Sequence, residues 1–154
     1  MLIDKMRNVG FGISLLILGM LTACTSPVDK EPRPVEPSIR VLSLAPGEVQ
    51  EFVDDLELII EYLDYDGDIG HPDPDEKTLW VQDSRLDAPD WYHVPPIAPV
   101  GQEVPIEGTF IVPLNRLFLL GNGQEEEVYF TIKLKDRAGN WSEEEISPTV
   151  KVTR

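Results

Sequence analysis

The sequence predicts an all-β protein, an antiparallel β-sandwich, and three observations carry that prediction. Apolar residues recur with a period of two in several short segments, most clearly at Val128, Phe130, Ile132 and Leu134. That spacing puts every apolar side chain on one face of a strand. No segment sustains a helical apolar period, and fourteen prolines are spread along the chain, each of which would break a helix interior. Turn-forming residues return about every 10 residues, the punctuation of short strands joined by tight connections.

The strands are expected in the following order. Ile39 marks the start of the folded part, and Val41, Leu42 and Leu44 give a first strand closed by Ala45-Pro46-Gly47-Glu48. Leu56, Leu58, Ile60 and Tyr62 share one face of a second. Thr78 to Gln82 is a third, centred on Trp80, which is expected in the core because such sandwiches often bury a tryptophan there. Ile106 to Leu114 is another, bounded by Pro105 and Pro113. The strand Val128–Leu134 turns at Arg137-Ala138-Gly139-Asn140, and Trp141 to Val152 returns as the last.

The N-terminal residues carry a different message. Lys5 and Arg7 precede an uncharged apolar stretch, Val9 to Leu21, and the chain's one cysteine follows in Leu21-Thr22-Ala23-Cys24. A basic start, a short apolar run and small residues before a cut point form a secretory signal. The run is shorter than the roughly 18 apolar residues that a membrane-spanning helix needs. Leu-Thr-Ala-Cys resembles the lipobox of bacterial lipoproteins, which implies cleavage before Cys24 and acylation of its thiol. The expected organisation is therefore a signal peptide over 1–23, a lipidated proline-rich tether over 24–38 and a sandwich over 39–154. Asp4, Lys5 and Arg7 together carry +1, so removing them takes the chain from -15 to -16. Such acidity keeps a domain soluble or attracts cations and basic partners, and it disfavours nucleic acid.

Two motifs extend the resemblance across residues 39–154. Asp64-Tyr65-Asp66-Gly67-Asp68-Ile69-Gly70 follows the second strand, and Lys135-Asp136-Arg137-Ala138-Gly139-Asn140-Trp141-Ser142 joins the last two. With the lipobox, they resemble the small outer-membrane lipoproteins of Bacteroidota that carry an immunoglobulin-like or fibronectin-type-III-like domain. The resemblance implies that fold and an outer-membrane address, facing either the periplasm or the cell surface.

The same motifs hold the candidate chemistry. Asp64, Asp66 and Asp68 place three carboxylates within five residues, and hard cations such as calcium take several oxygen ligands. The loop is not an EF-hand, because Ile69 stands where that loop needs glycine and Pro72 and Pro74 follow. In a sandwich of this order Asp136 and Asn140 would approach the same end, so the five residues form a candidate calcium site. The competing reading makes them turn-formers that bond to their own backbone.

Catalytic signatures are lacking: there is no Gly-x-Ser-x-Gly and no metal-spaced histidines, and His71 and His93 sit beside prolines. Binding is the better expectation. Trp91 and Tyr92 precede a proline-rich stretch and suit a rim loop that stacks on a glycan, or else they cover a sandwich edge. Leu117-Phe118-Leu119-Leu120 cannot all face one core, so part of the run is covered by a loop or offered to a partner. The expected function is a lipid-anchored, non-catalytic module that contacts another envelope protein, the alternative being a glycan-binding lipoprotein.

Overall fold

A computed structural model describes residues 33–154. Cys24, the signal segment and most of the tether lie outside the described residues. Within Pro32–Arg154, a single compact unit, ten strands form three sheets that share one core. No described residue is helical, and the all-β sandwich expected from the period of two is what the chain builds.

One layer is β1 (Ser38–Ala45), β3 (Leu56–Asp64) and β6 (Ile106–Leu114), with β3 in the middle and both pairings antiparallel. The other side holds β4 (Leu79–Asp83), β5 (Asp90–Tyr92), β8 (Phe130–Leu134) and β9 (Glu145–Ile146) in the order β5-β4-β8-β9. Its continuation is β2 (Glu48–Gln50), β7 (Glu125–Val128) and β10 (Val150–Thr153), with β10 between the other two. Only Tyr129 separates β7 from β8, and Ser147 to Thr149 separate β9 from β10. Leu58 and Ile60 from the first layer meet Leu79, Val81, Ile132, Leu134, Val150 and Val152 from the second. All are essentially solvent-free.

Several elements differ from the sequence expectation for definite physical reasons. β1 closes at Ala45-Pro46-Gly47 as expected, but the chain also changes sheets there, and the unforeseen β2 pairs in parallel with β10 from Glu48↔Lys151 to Gln50↔Thr153. The expected last strand, Trp141 to Val152, is split by Ser147-Pro148-Thr149, because Pro148 can donate nothing to a ladder. Trp80 is not in the core. Leu79 and Val81 take the inward positions of β4, so alternation turns Trp80 outward, where Lys133 Nζ lies 4.7 Å from its ring centre. Pro113 stays inside β6 because that strand is a sheet edge and its free side needs no donor.

The register also fixes which loops share an end. Ser38 pairs with Leu63 and Ile106 with Asp64, so the tether enters beside the loop after β3. Leu56 pairs with Leu114 at the far end, about 30 Å away for nine residues of extended chain. Ile132, wholly buried, should lose roughly 2–5 kcal/mol on change to Ala through the cavity left behind. Ile146, 64% exposed on β9, should lose no more than about 0.5 kcal/mol on the same change. Denaturant melts of the two variants check this.

Candidate functional site

The alternation of β3 puts Asp64 on the same face as Leu56, Leu58, Ile60 and Tyr62, and its side chain is solvent-free. A carboxylate thus ends an apolar column, and the loop beyond it must supply its partners. Gly67 and Gly70 bend that loop with φ of 75° and 84°. A Cβ on Gly67 would strike the Val104 carbonyl, and one on Gly70 the Pro95 carbonyl, so the loop is pressed against the chain between β5 and β6.

The loop's amides come back to the carboxylate. Asp68 and Ile69 donate their backbone N–H groups to Oδ2 of Asp64 at 2.8 and 3.2 Å. Ala138 donates its amide to Oδ2 of Asp68 at 2.9 Å. The other oxygens are left over: Oδ1 of Asp64, of Asp66 and of Asp68 are all buried and none accepts a hydrogen bond. These three residues offer carboxylate oxygens that lie within 4.8 Å of one another. Burial, reinforced by Asp66 and then Asp68, pushes the Asp64 carboxyl up to about 6. Burial also raises Asp68, with Asp136 the next cause.

The hairpin Lys135–Asn140 does reach this loop. Ile69 and Asp136 form a bridge, and the Arg137 amide donates to the Asp68 carbonyl at 3.2 Å. The Arg137 guanidinium donates to the carbonyls of Gly67, Ile69 and Gly70 at 2.8–3.3 Å. Asp136 and Asn140, however, do not join the carboxylate cluster. Oδ1 of Asp136 accepts the amides of Gly139 and Asn140, both at 2.7 Å, and its Oδ2 accepts Nδ2 of Asn140 at 2.8 Å. Asn140 also donates to the Val35 carbonyl at 3.3 Å, tying the hairpin to the tether.

The aromatic residues divide differently from the expectation. Trp91 and Tyr92 are not in a rim loop; they lie on β5, where Trp91 pairs with Trp80 and Tyr92 with Leu79. Trp91 and Trp141 stand 6.0 Å apart at 57°, with Lys133 and Lys135 ammonium groups 5.7 and 5.8 Å from the Trp141 ring. Both tryptophans border a cleft of about 370 Å³ with His71, Glu76, Lys77 and Arg137.

At the opposite end, Leu117-Phe118-Leu119-Leu120 alternates: Leu117 and Leu119 enter the core, and Phe118 and Leu120 face out. Leu117 is therefore no contact residue. Sequence reasoning missed the neighbour that matters. Phe52 is 62% exposed, has a φ of 60°, and stacks on Phe118 with centroids 5.6 Å apart and planes 1° apart. The signal was an apolar pair, Phe52-Val53, flanked by Glu51 and Asp54 between two strands. Also missed was the half-buried Arg85, which binds Asp83 and Glu126 at 2.7 and 2.9 Å and donates to the Phe118 carbonyl at 3.0 Å. Glu126 in turn accepts the amides of Leu120 and Gly121, which with Arg85 hold its carboxyl below the usual range. The segment carrying Phe118 is thus fixed from below.

No protein-family model, curated protein or solved structure matches the chain. Function has to be argued from these two ends.

The acidic loop yields a prediction with a definite sign. The folded state holds a proton on Asp64 up to about pH 6, whereas the unfolded chain releases it near 3.8. The folded state thus binds more protons in that window, so this group's contribution to stability falls as pH rises from about 4 to 6. Asp64→Asn keeps an acceptor for the Asp68 and Ile69 amides and places an amide donor beside the unpartnered oxygens. In chelator at pH 7 it should raise stability by roughly 1–3 kcal/mol and flatten that pH dependence. Thermal melts from pH 4 to 7 measure both.

Proposed function

We propose that the chain is a lipid-anchored, non-catalytic interaction module of the outer envelope, a small lipoprotein whose domain is of the immunoglobulin-like type. The lipobox-like Leu21-Thr22-Ala23-Cys24 supports the anchor. The facing of β1-β3-β6 against β5-β4-β8-β9, with β2 crossing to pair with β10, supports the domain type.

The single observation that carries the binding reading is Phe52. A non-glycine residue in left-handed backbone geometry costs about 1–2 kcal/mol, and an exposed aromatic ring recovers little of that in water. The Phe52 amide donates to the Leu117 carbonyl at 2.9 Å, so the strained geometry is held in place, not left loose. With Val53, Phe118 and Leu120, each at least 39% exposed, it makes an apolar tip. That tip lies at the end of the sandwich remote from the tether's entry, where an anchored domain meets other molecules first. Rigid aromatic anchors are what protein interfaces use for most of their energy.

The second reading, glycan binding, rests on the cleft beside Trp91 and Trp141. Sugar rings stack on free aromatic faces, and Trp91 presents one at 41% exposure. Lys133 and Lys135 already stand over Trp141, which leaves a single stacking surface. The tip is the stronger of the two.

Phe52→Gly separates architecture from binding, because Gly adopts the left-handed geometry freely. Its stability should stay level or rise by about 1 kcal/mol, while co-purification of the envelope partner from detergent extracts drops at least tenfold. Retained capture by Phe52→Gly and by Phe118→Ser would refute the tip. A pull-down in which glycan competes and Trp91→Ala alone abolishes capture would favour the second reading.

The anchor has its own test. Cys24→Ser should abolish metabolic labelling with a fatty acid and release the protein from the membrane fraction, since stable anchoring needs about two acyl chains. A labelled Cys24→Ser variant would remove the basis for the lipoprotein reading.

A further inference from the structure

We propose that Asp64, Asp66 and Asp68 form a site for a hard divalent cation, calcium by its looser geometry, which fastens the loop after β3 to the hairpin Lys135–Asn140 where the tether enters. Clustered aspartates alone would not justify this, since turns use aspartate freely. The distinction lies in where the oxygens go. Asp136 shows how a turn-forming aspartate behaves here: both of its oxygens accept hydrogen bonds from its own hairpin. Asp64 and Asp68 instead each commit Oδ2 to backbone amides and leave Oδ1 unpartnered. Asp66 leaves a buried Oδ1 as well.

Asp64 is the decisive member, because its side chain is 0% exposed and so cannot satisfy Oδ1 with bulk water. Buried polar atoms nearly always have a partner, and one without a partner calls for an ion, a water or a function. Three such carboxylates, with oxygens within 4.8 Å of one another, give a cation a place to bind. Backbone amides orienting the outer oxygen of a carboxylate while the inner oxygen stays free is also how metal-ligating carboxylates are held from behind.

The looser coordination geometry of calcium favours it over magnesium. Calcium binds oxygen at about 2.3–2.6 Å and magnesium at about 2.0–2.1 Å, so ligands on opposite sides of the ion stand about 4.6–5.2 or 4.0–4.2 Å apart. Carboxylate oxygens lying within 4.8 Å of one another fit inside a calcium shell. Calcium also accepts irregular geometry, with water completing its 6–8 ligands. The carbonyls of Gly67, Ile69 and Gly70 are turned to Arg137 and are not ligands. The Arg137 charge offsets the one negative charge that three carboxylates and a divalent cation leave.

The consequence is mechanical. Asp68 accepts the Ala138 amide, and Asn140 in the same hairpin donates to Val35. A cation that fixes Asp68 therefore stiffens the path from loop to hairpin to tether. The inference does not depend on what the apolar tip binds.

The test uses the full chain in detergent. Terbium should bind saturably with luminescence sensitised by Tyr65, which lies between two of the ligands in sequence, and calcium should displace it. Half-saturation by calcium is expected near 10⁻⁴–10⁻³ M, the range of extracellular modules. At about 100 times that constant, calcium should raise the melting temperature by roughly 5–10 °C over chelator at constant ionic strength. Asp66→Asn, which breaks no hydrogen bond to the backbone, should weaken calcium at least tenfold and abolish most of the shift. Asp68→Asn, assayed by terbium well below its melting temperature, should weaken it likewise. Absence of saturable binding, or wild-type affinity in both variants, overturns the site. An equal response to magnesium overturns its assignment to calcium.

Discussion

The register of β3 is the constraint on which the rest of the molecule depends. It is the central strand of its sheet, and its inward face, Leu56 to Tyr62, supplies much of the core. A slip by one residue would send that face to solvent and bring Glu57 and Glu61 inward, so the apolar column permits a single register. The same column decides the two ends. Nine residues of strict alternation carry Asp64 into a position a carboxylate would otherwise avoid, and they start where the Glu51–Asp55 turn has just left the opposite layer. Core and functional surfaces are therefore set by one pattern.

The two ends handle their unfavourable features in different ways. At the tip the cost is backbone strain and exposed aromatic surface, contained by short bonds behind it. Asp54 accepts the Gln50 amide at 2.7 Å, Arg116 grips Asp55 at 2.8 Å, and Arg85 joins Asp83 to Glu126 beneath Phe118. The Arg116 pair is well exposed and adds little energy, whereas the Arg85 cluster is shielded and orders the loop. At the tether end the cost is electrostatic: buried like charges, eased at Asp68 by the nearby Arg137 charge. Rigid support of an exposed group fits contact with a partner, and buried like charge fits an ion.

Much of the fold was legible because alternation is a local signal. β3 and β8 announce themselves, as does the approach of Asp136 to the Asp64 loop once the strand order is supposed. The losses have separate causes. β2 and β5 have three residues each, too short for a period to show. β7 reads Glu125-Glu126-Glu127-Val128, and its charges conceal a strand in which Glu126 binds Arg85 and Glu125 binds Lys151. Trp80 lies outside the core, against the precedent of sandwiches that bury a tryptophan there, because Leu79 and Val81 claim the inner positions. Phe52 showed in the sequence only as half of an apolar pair, because its φ of 60° is set by tertiary structure. Asp136 and Asp68 look alike in sequence, and only the hydrogen bonds separate the one that closes a turn from the one with an oxygen to spare.

The acidity of the chain acquires meaning from this arrangement. A formal charge near -15 repels anionic surfaces at long range and favours cations everywhere, so it cannot by itself select a site. Selection comes from burial. Exposed carboxylates such as Asp54 and Glu125 are screened within about 8–10 Å by salt. The buried oxygens of Asp64, Asp66 and Asp68 are screened far less and lie within 4.8 Å of one another. One charge distribution thus does two jobs according to depth. On the surface it is screened by salt, and beneath the surface it stores a repulsion that a single bound cation would relieve.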